Sequence, residues 1–238
     1  MTVRRTLLAL PALALGLALT ACGGGGPMTS QTRSVTPFDR LEVTDAVDVR
    51  VVRGDRVAVS VRAGEDVIGD VRTESSGGTL RVSAHEEGIV IGPSAFDDAS
   101  VVVTVPRLSR VDVNGSSDVD LRGAAGQDLA VSVDGSGDVD LGAAAGGLLD
   151  LSVHGSGDIS ASGRVERVLA EVEGSGNLDL ERLAADSATV DLSGSGDVAL
   201  GRLDTLDADV AGSGDVSYLG RPRVSSRVSG SGDVDAAD

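Results

Sequence analysis

The chain has 238 residues and a formal net charge of −17, from 37 acidic and 20 basic residues, all of the latter arginine. Such a surface repels nucleic acid and anionic lipid and favours cations or basic partners. Tryptophan is absent and Phe38, Phe96 and Tyr218 are the only aromatic residues, which excludes a wide ring-filled core and leaves a narrow aliphatic one.

The first residues, "MTVRRTLLALPALALGLALTAC", have a charged start at Arg4 and Arg5, then an apolar run of about 14 residues. The run is too short to span a bilayer comfortably, and residues 1–21 read as a secretory signal peptide. The closing "LTAC" (Leu19–Cys22) resembles a bacterial lipobox, which implies that Cys22 is lipidated and becomes the mature N-terminus. Cys22 is the only cysteine, so no disulfide forms within the chain. Two acyl chains on Cys22 would hold the protein on the outer side of the cell membrane. "RRTLL" shares its paired arginines with twin-arginine export signals, so both that route and the general secretory route stay open.

Residues 22–37 continue as "CGGGGPMTSQTRSVTP", rich in Gly, Ser, Thr and Pro, and predict a flexible tether. Residues 38–108 hold four runs of β character, "VDVRVV", "VAVSVR", "TLRVSA" and "VVVTVP", separated by Gly- or Asp-containing turns. They predict the opening coils and N-terminal cap of the folded body. The irregular "EEGIVIGPSAFDDAS" (Glu86–Ser100) predicts a protruding loop.

Residues 109–238 repeat one sentence, typified by "VSVDGSGDVDLG" (Val131–Gly142). The first Gly of each turn falls at 115, 135, 155, 174, 194, 212 and 230, with spacings of 20, 20, 19, 20, 18 and 18. A fixed period of this length marks a solenoid. Aliphatic residues stand two and four positions before most of these glycines, as Val133 and Val131 or Val153 and Leu151 do, with polar or small residues between them. Alternation resumes afterwards, as in Val139/Leu141 and Val198/Leu200. Period two means strand, with one face buried and one wet. Each coil therefore predicts two short strands about a Gly-Ser-Gly turn, and one coil buries too little to fold alone. Stacked coils pair in parallel and bury a continuous core. The fold class is all-β: a parallel β-solenoid of 18–20-residue coils in a single domain. Disorder does not require aliphatic residues to hold register across seven copies.

The region from about Pro37 to Asp238 resembles a known bacterial family, the auto-transporter adhesins with a head GIN domain. The resemblance rests on "FDRLEV", "VDVRVVRGDRVAVSVRA", "GGTLRVSA", "VVVTVPRLSRVDVNGSSDV" and the GSGD repeats, in that order. It implies a β-solenoid on a secreted or lipid-anchored envelope protein and carries over no catalytic residues.

The repeat aligns Asp118, Asp138, Asp158, Asn177, Asp197, Asp215 and Asp233 along one edge. A calcium ladder through the six aspartates is one expectation, since Ca²⁺ takes carboxylate oxygens. The spacing departs from the G-G-x-G-x-D-x-U-x calcium roll, because the Asp directly follows the second Gly and the mark comes once per 18–20 residues. The favoured expectation is that Asp and Ser cap the turn, leaving only weak cation binding along the row and no cofactor.

Catalytic motifs are missing. His85 and His154 are the only histidines; His154 takes an outward position before a turn and reads as a surface substitution. "GSG" is not a nucleophile elbow, since a strand follows it, and no GK[ST] accompanies the glycines. The chain reads as a non-catalytic, lipid-anchored envelope rod, an adhesin or scaffold. Its expected partners are the membrane through the lipid, an envelope protein or glycan, and other copies through the solenoid ends. The alternative is a carbohydrate-active β-helix. Sugar clefts call for basic residues and aromatic platforms, and the repeats offer no Lys and one Tyr.

Overall fold

The computed structural model describes residues 26–84, 96, 98–123 and 125–237. The expected signal peptide and Cys22 lie outside them. Eighteen strands and no helix are found among the described residues. The N-terminal part contains β1 (Met28–Arg33), β2 (Arg40–Asp45), β3 (Asp48–Arg53), β4 (Ala58–Gly64), β5 (Val71–Ser76), β6 (Thr79–Ala84) and β7 (Ser100–Val105). The repeats supply β8 (Leu108–Gly115), β9 (Val119–Arg122), β10 (Ala125–Gly135), β11 (Val139–Gly155), β12 (Ile159–Gly174) and β13 (Leu178–Gly194). They end with β14 (Val198–Arg202), β15 (Thr205–Gly212), β16 (Val216–Leu219), β17 (Arg223–Gly230) and β18 (Val234–Ala237).

The repeats stack as a parallel β-solenoid, and the register is the one the alternation demands. Val113, Val133, Val153, Val172, Leu192, Val210 and Val228 form one inward column. Val119, Val139, Ile159, Leu178, Val198, Val216 and Val234 form another on the opposite side of the turn. Val131, Leu151 and Val190 are buried. Each aliphatic group lies over its counterpart about 4.8 Å away, so the core is a thin column needing no rings. Phe38 and Phe96, the two phenylalanines, are buried and join the same core cluster as the aliphatic columns.

The glycine turn explains why the period is so strict. Gly155 has φ +140°, and a Cβ there would overlap the Gly135 carbonyl oxygen of the coil before it. That same oxygen accepts hydrogen bonds from the Ser156 amide at 2.8 Å and the Gly157 amide at 3.2 Å. The turns are thus bonded to one another through bare backbone, and a side chain at this position would push two coils apart.

One reading of the repeat is corrected by the structure. In the middle of the stack the strands are not short: β11, β12 and β13 run 17, 16 and 17 residues, from one glycine turn to the next. The bend between the two sides is absorbed by register shifts, at Leu141/Ala143 and Ser160/Ser162, without breaking the ladder.

The N-terminal part departs further. β2 and β3 form a coil that pairs with β8 and β9 on one side, and with β6 and β7 on the other. Chain order and stacking order therefore differ, since the earliest coil lies inside the stack. Beyond it the parallel rule fails, because β4 pairs antiparallel with β7, and β5 with β6. Gly77 and Gly78, at φ +58° and +80°, close the β5–β6 hairpin. Such a hairpin reverses the chain in two residues, which a coil cannot do.

The tether expected at residues 22–37 is also corrected, because Met28–Arg33 is an edge strand paired antiparallel with β4. The Arg33 guanidinium donates to the carbonyls of Ile68 at 2.7 Å and Val71 at 3.2 Å. The strand escapes sequence reading because no residue in it is fully buried, so it lacks apolar alternation. Of the expected loop at residues 86–100, residues 86–95 and 97 lie outside the described set, and Phe96 is buried rather than protruding.

At the other end, among the described residues, β17 and β18 have a neighbour on one side only. Every residue of β17 is exposed, including Val224 and Val228, at 39% and 43%. Ser226 continues the inward column of Val190 and Ala208, so this coil is partly adapted to water.

The turn geometry yields a stability prediction. Gly155→Ala combines a disfavoured φ with backbone overlap and is expected to cost at least about 2 kcal/mol in chemical denaturation. Gly69→Ala, at a glycine with nothing within 4 Å and no positive φ, is expected to change stability by less than about 0.5 kcal/mol.

Candidate functional site

The aspartate row lies along the edge just after the glycine turns, where each turn hands the chain to its second strand. Its hydrogen bonding is regular. The Asp138 amide donates to Asp118 Oδ1 at 3.0 Å, and the Asp158 amide to Asp138 Oδ1 at 2.9 Å. The Asp215 amide donates to Asp197 Oδ1 and the Asp233 amide to Asp215 Oδ1, both at 2.9 Å. Each coil answers through the backbone: the Val119 amide donates to the Asp138 carbonyl and the Val139 amide to the Asp158 carbonyl. The row is a zipper in which one carboxylate oxygen caps the next coil.

Asn177 shows what the row requires. Its Oδ1 accepts the Asp197 amide at 2.9 Å, as an aspartate would, and its Nδ2 donates to Asp158 Oδ1 at 2.9 Å. The common demand is an acceptor oxygen, met with or without charge. Two carboxylates about 5 Å apart in water repel by roughly 0.8 kcal/mol. At an effective dielectric of about 20 the repulsion is about 3 kcal/mol, which a hydrogen bond to a charged acceptor, about 1.5–3 kcal/mol, offsets in large part. Among the described residues, no three carboxylates of the row converge into one ion-sized group.

The structure adds a member that carries no GSGD mark. Asp48 Oδ1 faces the Asp118 amide at 3.4 Å and begins the row one coil earlier. Its turn is Asp45-Ala46-Val47-Asp48, with Asp45 at φ +74° opposite Gly115. The only sequence signal was an Asp three residues before another, followed by alternating valines. Ser117 replaces the second turn glycine at this junction; its fully buried hydroxyl receives the Val47 amide at 2.9 Å and donates to the Asp45 carbonyl.

Beside the start of the row lies a groove of about 410 Å³, lined by Asp48, Arg50, Ser100, Val102, Asp118, Asp120, Asp138 and Asp140. Burial pushes the Asp48 carboxyl above its ordinary pKa; the Asp118 amide opposes this and the Asp118 charge adds to it. Asp120 is held below its ordinary value by hydrogen bonding to Arg122 at 2.9 Å, with Arg50 assisting at 3.2 Å. His154 sits on a different face, between Asp134 and Glu173 of adjacent coils. His85 and Cys22 are outside the described residues.

A family model described as "Putative auto-transporter adhesin, head GIN domain" matches residues 37–222. The chain belongs to this family. Its fold also matches solved structures. A "putative adhesin" from Bacteroides fragilis superposes with a TM-score of 0.81 at 19% identity, covering 89% of this chain and 97% of that one. A "putative lipid binding protein" from Parabacteroides distasonis gives 0.69 at 21% identity, covering 91% and 98%. A "putative adhesin" from the same species gives 0.69 at 20%, covering 90% and 98%. At these identities the likeness shows the fold alone. No curated protein matches the chain.

Two outcomes follow for this head GIN domain. Asp158→Asn keeps the acceptor oxygen and is expected to melt within a degree or two of the parent, whereas Asp158→Ala removes it and is expected to cost about 1 kcal/mol. Differential scanning calorimetry of both variants checks this. The raised pKa of Asp48 means that its ionised form costs stability at neutral pH, and that this cost vanishes as the folded group takes its proton in acid. Asp48→Asn is therefore expected to raise the melting temperature at pH 7 and to leave it unchanged below about pH 3, measured across a pH series.

Proposed function

We propose that this head GIN protein is a non-catalytic, lipid-anchored rod on the outer side of the cell membrane, which binds an envelope or host-surface component along its length. The observation that carries this reading is the in-register stack itself. It repeats outward side chains at one spacing over the whole rod, as in the run Asp112, Ser132, Ser152, Glu171, Asp191 and Asp209. Such a face suits an extended, repetitive ligand, and family membership agrees with a role in surface binding. The aspartate row serves as the structural spine of this rod, with calcium binding no more than weak and superficial. Its exposed final coil is a further contact surface for other copies. Attachment through a lipid on Cys22 rests on the lipobox-like "LTAC"; among the described residues no helix is long and apolar enough to cross a membrane.

The test uses cells that express the full chain, with or without Cys22→Ser. The parent is expected in the membrane fraction and to make the cells adhere to glycan-coated surfaces. The variant is expected in the soluble extracytoplasmic fraction or the medium, with adherence lost. The same glycans should show no new reducing ends or unsaturated products. Equal membrane retention of the variant would remove the anchor, and cleaved glycan would move the protein to the carbohydrate-active reading.

A further inference from the structure

We propose that His154, Glu171 and Glu173 form a zinc-class metal site on the outward face of the solenoid, with Asp134 orienting the histidine. Glu171 and Glu173 stand two apart on β12, so strand alternation sends both to one face. His154 lies on the neighbouring strand β11, directly opposite Glu173. The imidazole nitrogen and one carboxylate oxygen from each glutamate lie within 4.8 Å of one another. Two ligands from one strand and one from its neighbour surround a point above the sheet and leave the outward side of an ion open to water.

The histidine is held in the orientation that a metal ligand needs. Its Nδ1 lies 3.3 Å from Asp134 Oδ1, on the preceding coil, and 3.3 Å from Ser152 Oγ. With the Nδ1 proton directed to Ser152 Oγ, beside the Asp134 carboxylate, the lone pair is left on Nε2. Nε2 faces the following coil, where Glu173 Oε2 is 3.9 Å away. Ligand atoms around a tetrahedral zinc with bonds near 2.0–2.1 Å lie about 3.3 Å apart, so closure needs only a small movement of exposed side chains.

The charge around the site points the same way. Asp120, Asp112, Asp186 and Asp209 each pair with an arginine. Among the described residues Glu171 has no ion pair and Glu173 has only His154. Two carboxylates would neutralise a divalent ion, and an imidazole in the set favours zinc over the all-oxygen preference of calcium. This site is separate from the aspartate row and needs none of its members.

The experiment is equilibrium dialysis of the full chain against zinc alone at pH 7.5, without a polyhistidine tag and after removal of bound metal. One equivalent is expected to bind with a micromolar dissociation constant, and millimolar calcium should not displace it. His154→Gln and Glu173→Gln should each abolish the site while circular dichroism stays unchanged. Asp134→Asn should weaken it about tenfold, and His85→Gln should leave it intact. No stoichiometric zinc binding tighter than about 100 µM, or binding unchanged in His154→Gln, would overturn the proposal.

Discussion

Backbone stacking at the glycine turn is the constraint on which the rest of this molecule depends. Successive coils approach so closely at the turn that Gly135 and Gly155 leave no room for a Cβ between them. The two turns are joined instead by amide-to-carbonyl bonds. With the turns locked, the flanking strands have no freedom of register. Valine must lie over valine, and an outward residue over an outward residue. Aspartate stands where it does because the amide after the turn needs an acceptor, and a short carboxylate or carboxamide from the coil before reaches it.

This constraint separates two kinds of surface. At the turn edge the polar side chains are committed to the neighbouring coil, so their repetition is structural. On the outer face of the long strands the columns are not bonded into the turn and vary from coil to coil. His154 occurs there in a column otherwise occupied by Ser83, Thr44, Asn114, Asp134, Glu173, Ser193, Ala211 and Ser229. Variation is concentrated where it does not disturb the stack, and recognition chemistry has its freedom on the same face.

The two ends of the stack solve the problem of the unpaired edge differently. The N-terminal end abandons the repeat, reverses direction at Gly77 and Gly78, and covers itself with β1, β4 and β5. Among the described residues the last coil keeps the repeat, and its long strand carries Ser226, Arg223 and Arg227. Among the described residues β17 and β18 therefore offer a parallel edge matched to the coils beneath them.

The solenoid, its register and the location of the aspartate row were legible from residues alone. Side-chain alternation and a period near 20 are local consequences of strand geometry and turn spacing, and Val131, Leu151 and Val190 lie inside as that alternation requires. The placement of β2 between β6 and β8 was not legible, because each of these strands has the same pattern and would pair with any of the others. Nor was β1, whose polar residues gain order only from the free edge of β4. Asp48 joined the row only when folding set it beside Asp118, 70 residues away. The meeting of His154 with Glu171, Glu173 and Asp134 likewise depends on stacking. Pattern within a strand specifies which way a side chain points, but its neighbours across strands are specified by which edges remain open once the others have paired.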